Sequence, residues 1–364
     1  MCCEHPGKEI ERQLKSSGMS RKELATRTGV TEKHINTLIS GSRDLTVSYA
    51  SKLALVLPIK GDDSRENAKY WQSLQNEFDL HKLQEQEKHN ISDEEIGILK
   101  NLSEITEYLI QRGKVSSGLS DVEKVLKYRN LLKISDLTQI ARIPYKGAFR
   151  AQLATNAKID RYVLSAWQAI CEMEIGADTG SAEVKLDKDL LKSSLADIKN
   201  VMFDELSSGC AKLKDILESC GIVFKVVRHF RGAPVQGYIK ELEDGRLFLC
   251  LTIRGGRADS FWFTLFHEIA HILHNDYQTK FVDFDSCDGD VERRADMWAR
   301  NFLIPLDDYR KLSSLNRKPT VEDIIQLAKT ANVRPFIVLG RLQKDGVLEW
   351  SDYPKMVVRY KWVE

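Results

Sequence analysis

The sequence predicts an α+β chain rich in helix: an all-α N-terminal module, a helical connector, and a C-terminal α+β domain built on a small sheet. Three observations carry that prediction. Residues 5–60 read as short amphipathic helices separated by glycine turns. Residues 61–180 stay mostly helical and polar. Beyond 181 the pattern alternates: "GIVFKVVRHF" and "GYIKELEDGRLFLCLTI" read as strands, with Asp244-Gly245 where a hairpin turns. The chain has 364 residues, 42% hydrophobic and 29% charged, enough for two or three domains and more than one core. The expected domains are 5–82, 83–180 and 181–364. "LQEQEKHNISDEE" marks the first break and "GADTGSAE" (176–183) lies at the second.

Charge and cysteine usage exclude some classes. The net charge of +1 gives the whole chain no field for a polyanion, yet residues 1–60 hold ten Lys and Arg against six Asp and Glu. That local excess permits contact with DNA. No apolar run is long enough for a membrane span, and "MCCEHPGKEIERQ" has no apolar signal core, so a cytoplasmic protein without membrane partners is expected. None of the seven cysteines forms a CxxC pair, which argues against a disulfide framework or a cysteine zinc site.

In the first module, "SRKELATRTGVTEKHINTLISGSR" (20–43) parses as helix-turn-helix. Ser20 and Glu23 form a capping box at the start of one helix. Leu24 and Ala25 give it an apolar face, and Gly29 ends it. Val30 packs beneath the turn and Thr31 caps the next helix. There Ile35, Leu38 and Ile39 face the core, leaving Glu32, Lys33, His34, Asn36 and Thr37 outside, as a helix entering the major groove requires. Arg43 is placed to take a phosphate. The wording "HPGKEIERQLKSSGMSRKELATRTGVTEKHINTLISGSRDLT", followed by "YWQSLQNEFDL", resembles the HigA branch of the Xre-type helix-turn-helix family over about residues 5–82. These are antitoxins and repressors of toxin–antitoxin modules. The resemblance implies double-stranded operator DNA as a partner, and readers of this kind often dimerise, so a homodimer is expected.

The second chemical signal is "FWFTLFHEIAHILH" (261–274). It reads as a buried helix, yet carries His267, Glu268 and His271. Histidines four apart lie on one helix face, where two ring nitrogens can bind one Zn²⁺. Glu268 is rotated off the ligand line and suits a general base that takes a proton from water and passes it to a leaving amine. A string of the form HExxH arises by chance in such a chain roughly once in a hundred. Three ionisable groups in an apolar helix are also costly unless something satisfies them, and a metal does so. A third ligand is needed downstream. The candidates are Asp283, Asp285, Cys287, Asp288, Asp290, Glu292 and Asp296. Glu292 is favoured: it opens "ERRAD", in which Asp296, one turn on, can hold a ligand histidine by its free ring N–H. Asp296 as the ligand is the alternative, and His274 is expected beside the ligands or exposed.

"DSFWFTLFHEIAHILH" and "VERRADMWARNFLIP", with the tail "IVLGRLQKDGVLEW", resemble the ImmA/IrrE family of zinc metallopeptidases over about 180–364. The resemblance implies a zincin-like fold with His267, His271 and Glu292 on Zn²⁺ and Glu268 as base. The chain departs from the family at Arg294, where the common pattern has an acidic residue; this position is expected near the substrate side. The strand at 246–253 reads equally as a substrate-binding edge or as a core strand. Two functions follow. One is a DNA-binding regulator whose zinc metallo-endopeptidase cleaves a protein substrate, itself or a partner repressor. The alternative is a HigA-like antitoxin and autorepressor that binds a cognate toxin, with the zinc domain as a latent scaffold.

Overall fold

The structure, a computed structural model, describes residues 4–142, 148–151, 159–177, 184–278 and 289–362. The chain divides into two compact units at Ser92.

The first unit holds α1 (Pro6–Ser17), α2 (Arg21–Thr28), α3 (Glu32–Ile39), α4 (Val47–Val56) and α5 (Ser64–His89). The opening His-Pro-Gly has a physical reason. The His5 ring accepts a hydrogen bond from Gly7 N at 3.0 Å, and Pro6 stands in the first turn, where no amide is missed. Gly7 lets α1 touch the end of α3, since a Cβ there would lie 2.0 Å from the Leu38 carbonyl oxygen. Ser20 caps α2 through Glu23 N, but the Glu23 carboxylate pairs with Arg27 at 2.7 Å instead of reaching back. The expected box is therefore half made. Gly29 ends α2 at φ +66° and Thr31 caps α3 through His34 N. Ile10, Leu24, Ile35, Leu38, Leu53 and Trp71 form the core. The buried Asn67 of α5 accepts from Ile59 N and Lys60 N and donates to the Gly61 and Asp63 carbonyls, which fixes the loop before the helix. Helix α5 runs through residues 83–89, so the expected first break narrows to 90–92.

The second unit begins with α6 (Asp93–Asn101), α7 (Ser103–Gln111) and α8 (Asp121–Leu132). Among these helices lies a strand the sequence reading did not anticipate, β1 (Ala148–Ala151), followed by α9 (Arg161–Ala177). Residues 178–183 of the second expected break lie outside the described residues. Then come α10 (Lys188–Asn200), α11 (Leu206–Ser219), β2 (Ile222–Val226), β3 (Val235–Glu241) and β4 (Leu247–Leu251). These three strands form a mixed sheet: β2 runs parallel to β4, β3 antiparallel to it. Strand β1 joins the outer edge of β3, giving the order β1-β3-β4-β2. The β3–β4 turn closes with Gly245 at φ +84°.

Every residue of β4 is buried because both faces of the sheet are covered. Leu247, Leu249, Leu251 and Ile239 share a core with α12 (Ala258–His274). Tyr238, Phe248 and Cys250 point the other way. There the Trp167 ring meets Tyr238 at 5.9 Å and Cys171 Sγ lies 3.8 Å from Cys250 Sγ, so α9 covers that face. The strand expected at 246–253 is thus a central core strand, paired on both sides.

Against α12 pack α13 (Gly289–Leu303) and α16 (Pro335–Lys344), and α14 (Leu306–Ser313) and α15 (Val321–Thr330) share their core. Lys199 of α10 donates to the carbonyls of Phe302, Leu303 and Ala331, tying the ends of α13 and α15 together. Burial pushes its ammonium down to about 8. The expected strand-like C-terminal tail makes only an isolated bridge, Arg257 to Arg359. Ala258 N and Tyr360 N bond across to Val358 O and Gly256 O, so the described part of the tail clasps the loop before α12 and does not join the sheet. Among the described residues, no helix is long and apolar enough to cross a membrane.

Candidate metal centre and reading face

Helix α12 is apolar on nearly every side, and His267, Glu268 and His271 are buried in it. The helix ends at Asn275, which takes φ +63° and turns the chain into a short 3₁₀ turn, Asp276–Gln278. Helix α13 crosses beside it and presents Glu292. His267 Nε2 lies 2.9 Å from His271 Nε2 and 3.1 Å from Glu292 Oε2, and His271 Nε2 lies 3.5 Å from Glu292 Oε1. The three donor atoms fall within 4.8 Å of one another.

Two imidazole nitrogens and a carboxylate converging in a buried spot suit a cation, and bare side chains gain little from such crowding. Nitrogen, nitrogen and oxygen with further positions open is a donor set that Zn²⁺ accepts. Glu268 adds to the fit: its Oε1 is buried and has no hydrogen-bond partner among the described residues.

Carboxylates stand behind both histidines. Asp296 Oδ1 lies 2.7 Å from His267 Nδ1, on the ring nitrogen that does not face Glu292. Asp276 Oδ2 lies 3.6 Å from His271 Nδ1, and its other oxygen receives Arg294 at 2.6 Å. Arg294 is therefore engaged with Asp276. Asp290 is exposed and pairs with Arg293. Asp283, Asp285, Cys287 and Asp288 lie outside the described residues. His274 is half-buried, and burial followed by the Arg294 charge lowers its ring pKa.

Two residues here escaped the sequence reading. Asp276 follows the helix cap, and nothing in its spacing marks it. Gly237 of β3 did carry a signal, since glycine inside a strand often marks a close approach. A Cβ on Gly237 would lie 2.2 Å from Glu268 Oε1.

On the first unit, Glu32, Lys33, Asn36 and Arg43 are exposed, while His34 and Thr37 are partly buried. Arg43 Nη1 lies 2.9 Å from His34 Nδ1, and the His34 ring packs on Tyr49 at 5.1 Å. Burial, then Arg43 and Lys52, lower the His34 pKa, so the ring is a neutral partner for Arg43 near neutral pH. Thr37 bonds back to the His34 carbonyl. Arg21, which sequence reasoning missed, donates to Asn36 Oδ1 at 3.0 Å and adds a cation beside α3.

Comparison with known families agrees with this division. No curated protein matches the chain. Residues 10–63 match the Helix-turn-helix family, and residues 240–343, which span β4, α12 and α13, match the IrrE N-terminal-like domain, a peptidase family that depends on metal. One chain thus joins a helix-turn-helix module to a domain similar to the IrrE N-terminal-like peptidases.

Proposed function

We propose that this protein is a DNA-binding transcription regulator carrying a zinc-dependent endopeptidase that cleaves itself or a partner repressor. One observation carries the reading: His267, His271 and Glu292 converge beside a buried Glu268. His267, His271 and Glu292 would hold the zinc. When bound there, zinc lowers the pKa of water and polarises a carbonyl oxygen. Asp296 keeps the His267 ring turned toward Glu292. Glu268, pressed against Gly237, takes the proton of the attacking water and delivers it to the departing amine. On the first unit, Lys33, Arg43 and Arg21 supply cations for phosphates, and Glu32 and Asn36 stand at the exposed end and face of α3, where base edges are read.

A HigA-like antitoxin that binds a toxin is the second reading. The exposed Val47, Leu55, Leu80 and Leu83 of α4 and α5 favour a protein partner, toxin or second copy, on the first unit. The discriminating experiment compares new protein N-termini, by mass spectrometry, in cells making wild type or Glu268→Gln. Termini that require Glu268 are expected. If they map within this chain, it cuts itself; if elsewhere, they name the partner. None under any condition tried transfers the assignment to the antitoxin reading.

A further inference from the structure

We infer that this chain's own β1 is a resident, inhibitory strand, seated on the outer edge of β3 beside the metal site. The inference rests on the peptidase reading above for what the edge is used for.

Gly237 brings β3 against Glu268, so close that no side chain fits between them. One side of β3 is paired with β4. The other is paired with β1, antiparallel, with Ala148 opposite Ile239, Phe149 opposite Tyr238, and Arg150 opposite Gly237. The centre of β1 is therefore level with Gly237, the residue against Glu268, and one strand spacing, about 4.8 Å, from it. Beyond Arg150 the register slips: Arg150 faces Gly237 but Ala151 faces Val235. Such bulges end pairing and often sit beside active sites.

An edge strand offers a row of amides and carbonyls to any extended chain, and peptide-binding proteins use this to hold a ligand by main-chain bonds. A cleft that cuts polypeptide needs this edge free, because the peptide bond must be held beside Glu268 in an extended form. Here it is taken by four residues from the stretch before α9. Those residues, Ala-Phe-Arg-Ala, lack the β-branched run of a committed strand and form no turn-linked hairpin with β3. They are joined to the sheet on one side only. A short strand of weak propensity at an edge is the kind that another strand can displace. The ligand class is thus an unfolded or loop-borne polypeptide segment running antiparallel to β3. In chain order β1 lies between the helix-turn-helix unit and the metal site, so its release is a means of coupling the two.

The test uses the full chain loaded with zinc. In Glu268→Gln, which removes self-cutting, Arg150→Pro is added; proline cannot donate to the ladder and breaks an edge pairing. Zinc content reports that the variant has folded. Hydrogen exchange of the β3 amides that face β1 should rise by about tenfold or more, and a fluorescent peptide of residues 146–153 should bind about tenfold more tightly than to Glu268→Gln alone, as expected when a competing resident state is removed. Equal peptide affinity in the two proteins, or unchanged β3 protection, overturns the inference. Should Arg150→Pro lose its zinc, a photo-crosslinking residue at position 150 takes its place. Links to residues 235–239 support the resident strand, and links only elsewhere reject it. The peptidase reading fails separately: if Arg150→Pro with Glu268 intact binds the peptide and never cuts it, the edge stands and hydrolysis falls.

Discussion

Glu268 and Gly237 share one small volume, so under the proposed function a glycine in a strand sets where the base stands. Gly237→Ala would push the Glu268 carboxylate aside, because the new methyl falls within 2.2–2.7 Å of its Oε1, Cδ and Cγ. A positioned general base contributes about 10²- to 10⁴-fold. The expected result is a loss of about a hundredfold in kcat with zinc content unchanged; full activity would show that Glu268 does not work from this position. His5 gives a second residue-scale expectation. Burial lowers its pKa below 6.5, against smaller raising effects of Asp44 and Asp79. The ring binds its proton less readily folded than unfolded, and only the unprotonated Nδ1 can accept from Gly7 N. Stability of the first unit is therefore complete above about 6.5 and declines as pH falls through the lowered pKa. An NMR titration should place the His5 midpoint below 6.5, and His5→Ala should remove that part of the acid sensitivity. These residues differ in legibility. The closeness of His267 to His271 could be read from sequence because one helical turn fixes it. The use of Gly237 depends on which helix crosses the strand, and a single sequence does not state that.

At the scale of an element, α12 is defined as much by how it stops as by what it carries. The left-handed Asn275 turns the chain back so that Asp276 reaches the His271 ring, and Arg294 from α13 anchors that aspartate. Groups that orient a ligand histidine typically matter about 10- to 100-fold in metal affinity. Asp276→Ala should weaken zinc binding within that range, measured by competition with a chelating dye, and Arg294→Ala should weaken it less, since it removes only the support of the support. Affinity equal to wild type in Asp276→Ala would show that the 3.6 Å contact does not orient the ring. The position of Arg294 was visible in sequence as a departure from the family pattern. Its partner was not, because the ion pair joins two elements eighteen residues apart. The same holds for Glu23, where the spacing to Ser20 was right and the competing Arg27 won the carboxylate.

At the scale of the molecule, the stretch from 93 to 177 is part of the peptidase-like unit's architecture. Trp167 sits on Tyr238, Cys171 on Cys250, and Tyr108 meets Phe230 at 5.5 Å, while Trp167 Nε1 donates to the Arg228 carbonyl. Sequence showed these helices but not their destination, since amphipathic helices do not say which sheet face they cover. The family match begins only at residue 240, so it does not include them either. Three buried aromatics here, Trp167, Tyr238 and Phe248, each hide about 150–250 Å². At about 25 cal/mol per Å² that is on the order of 10 kcal/mol, as large as the whole net stability of an ordinary domain. Losing α9 would expose that face. A fragment of residues 93–364 should therefore unfold cooperatively on heating and retain one zinc per chain. A fragment of residues 181–364, though it keeps His267, Glu268, His271 and Glu292, should aggregate or bind a dye for exposed apolar surface. If the shorter fragment melts as sharply as the longer one and holds zinc equally well, the helices of 93–177 are an appendage, and the second face of the sheet tolerates water.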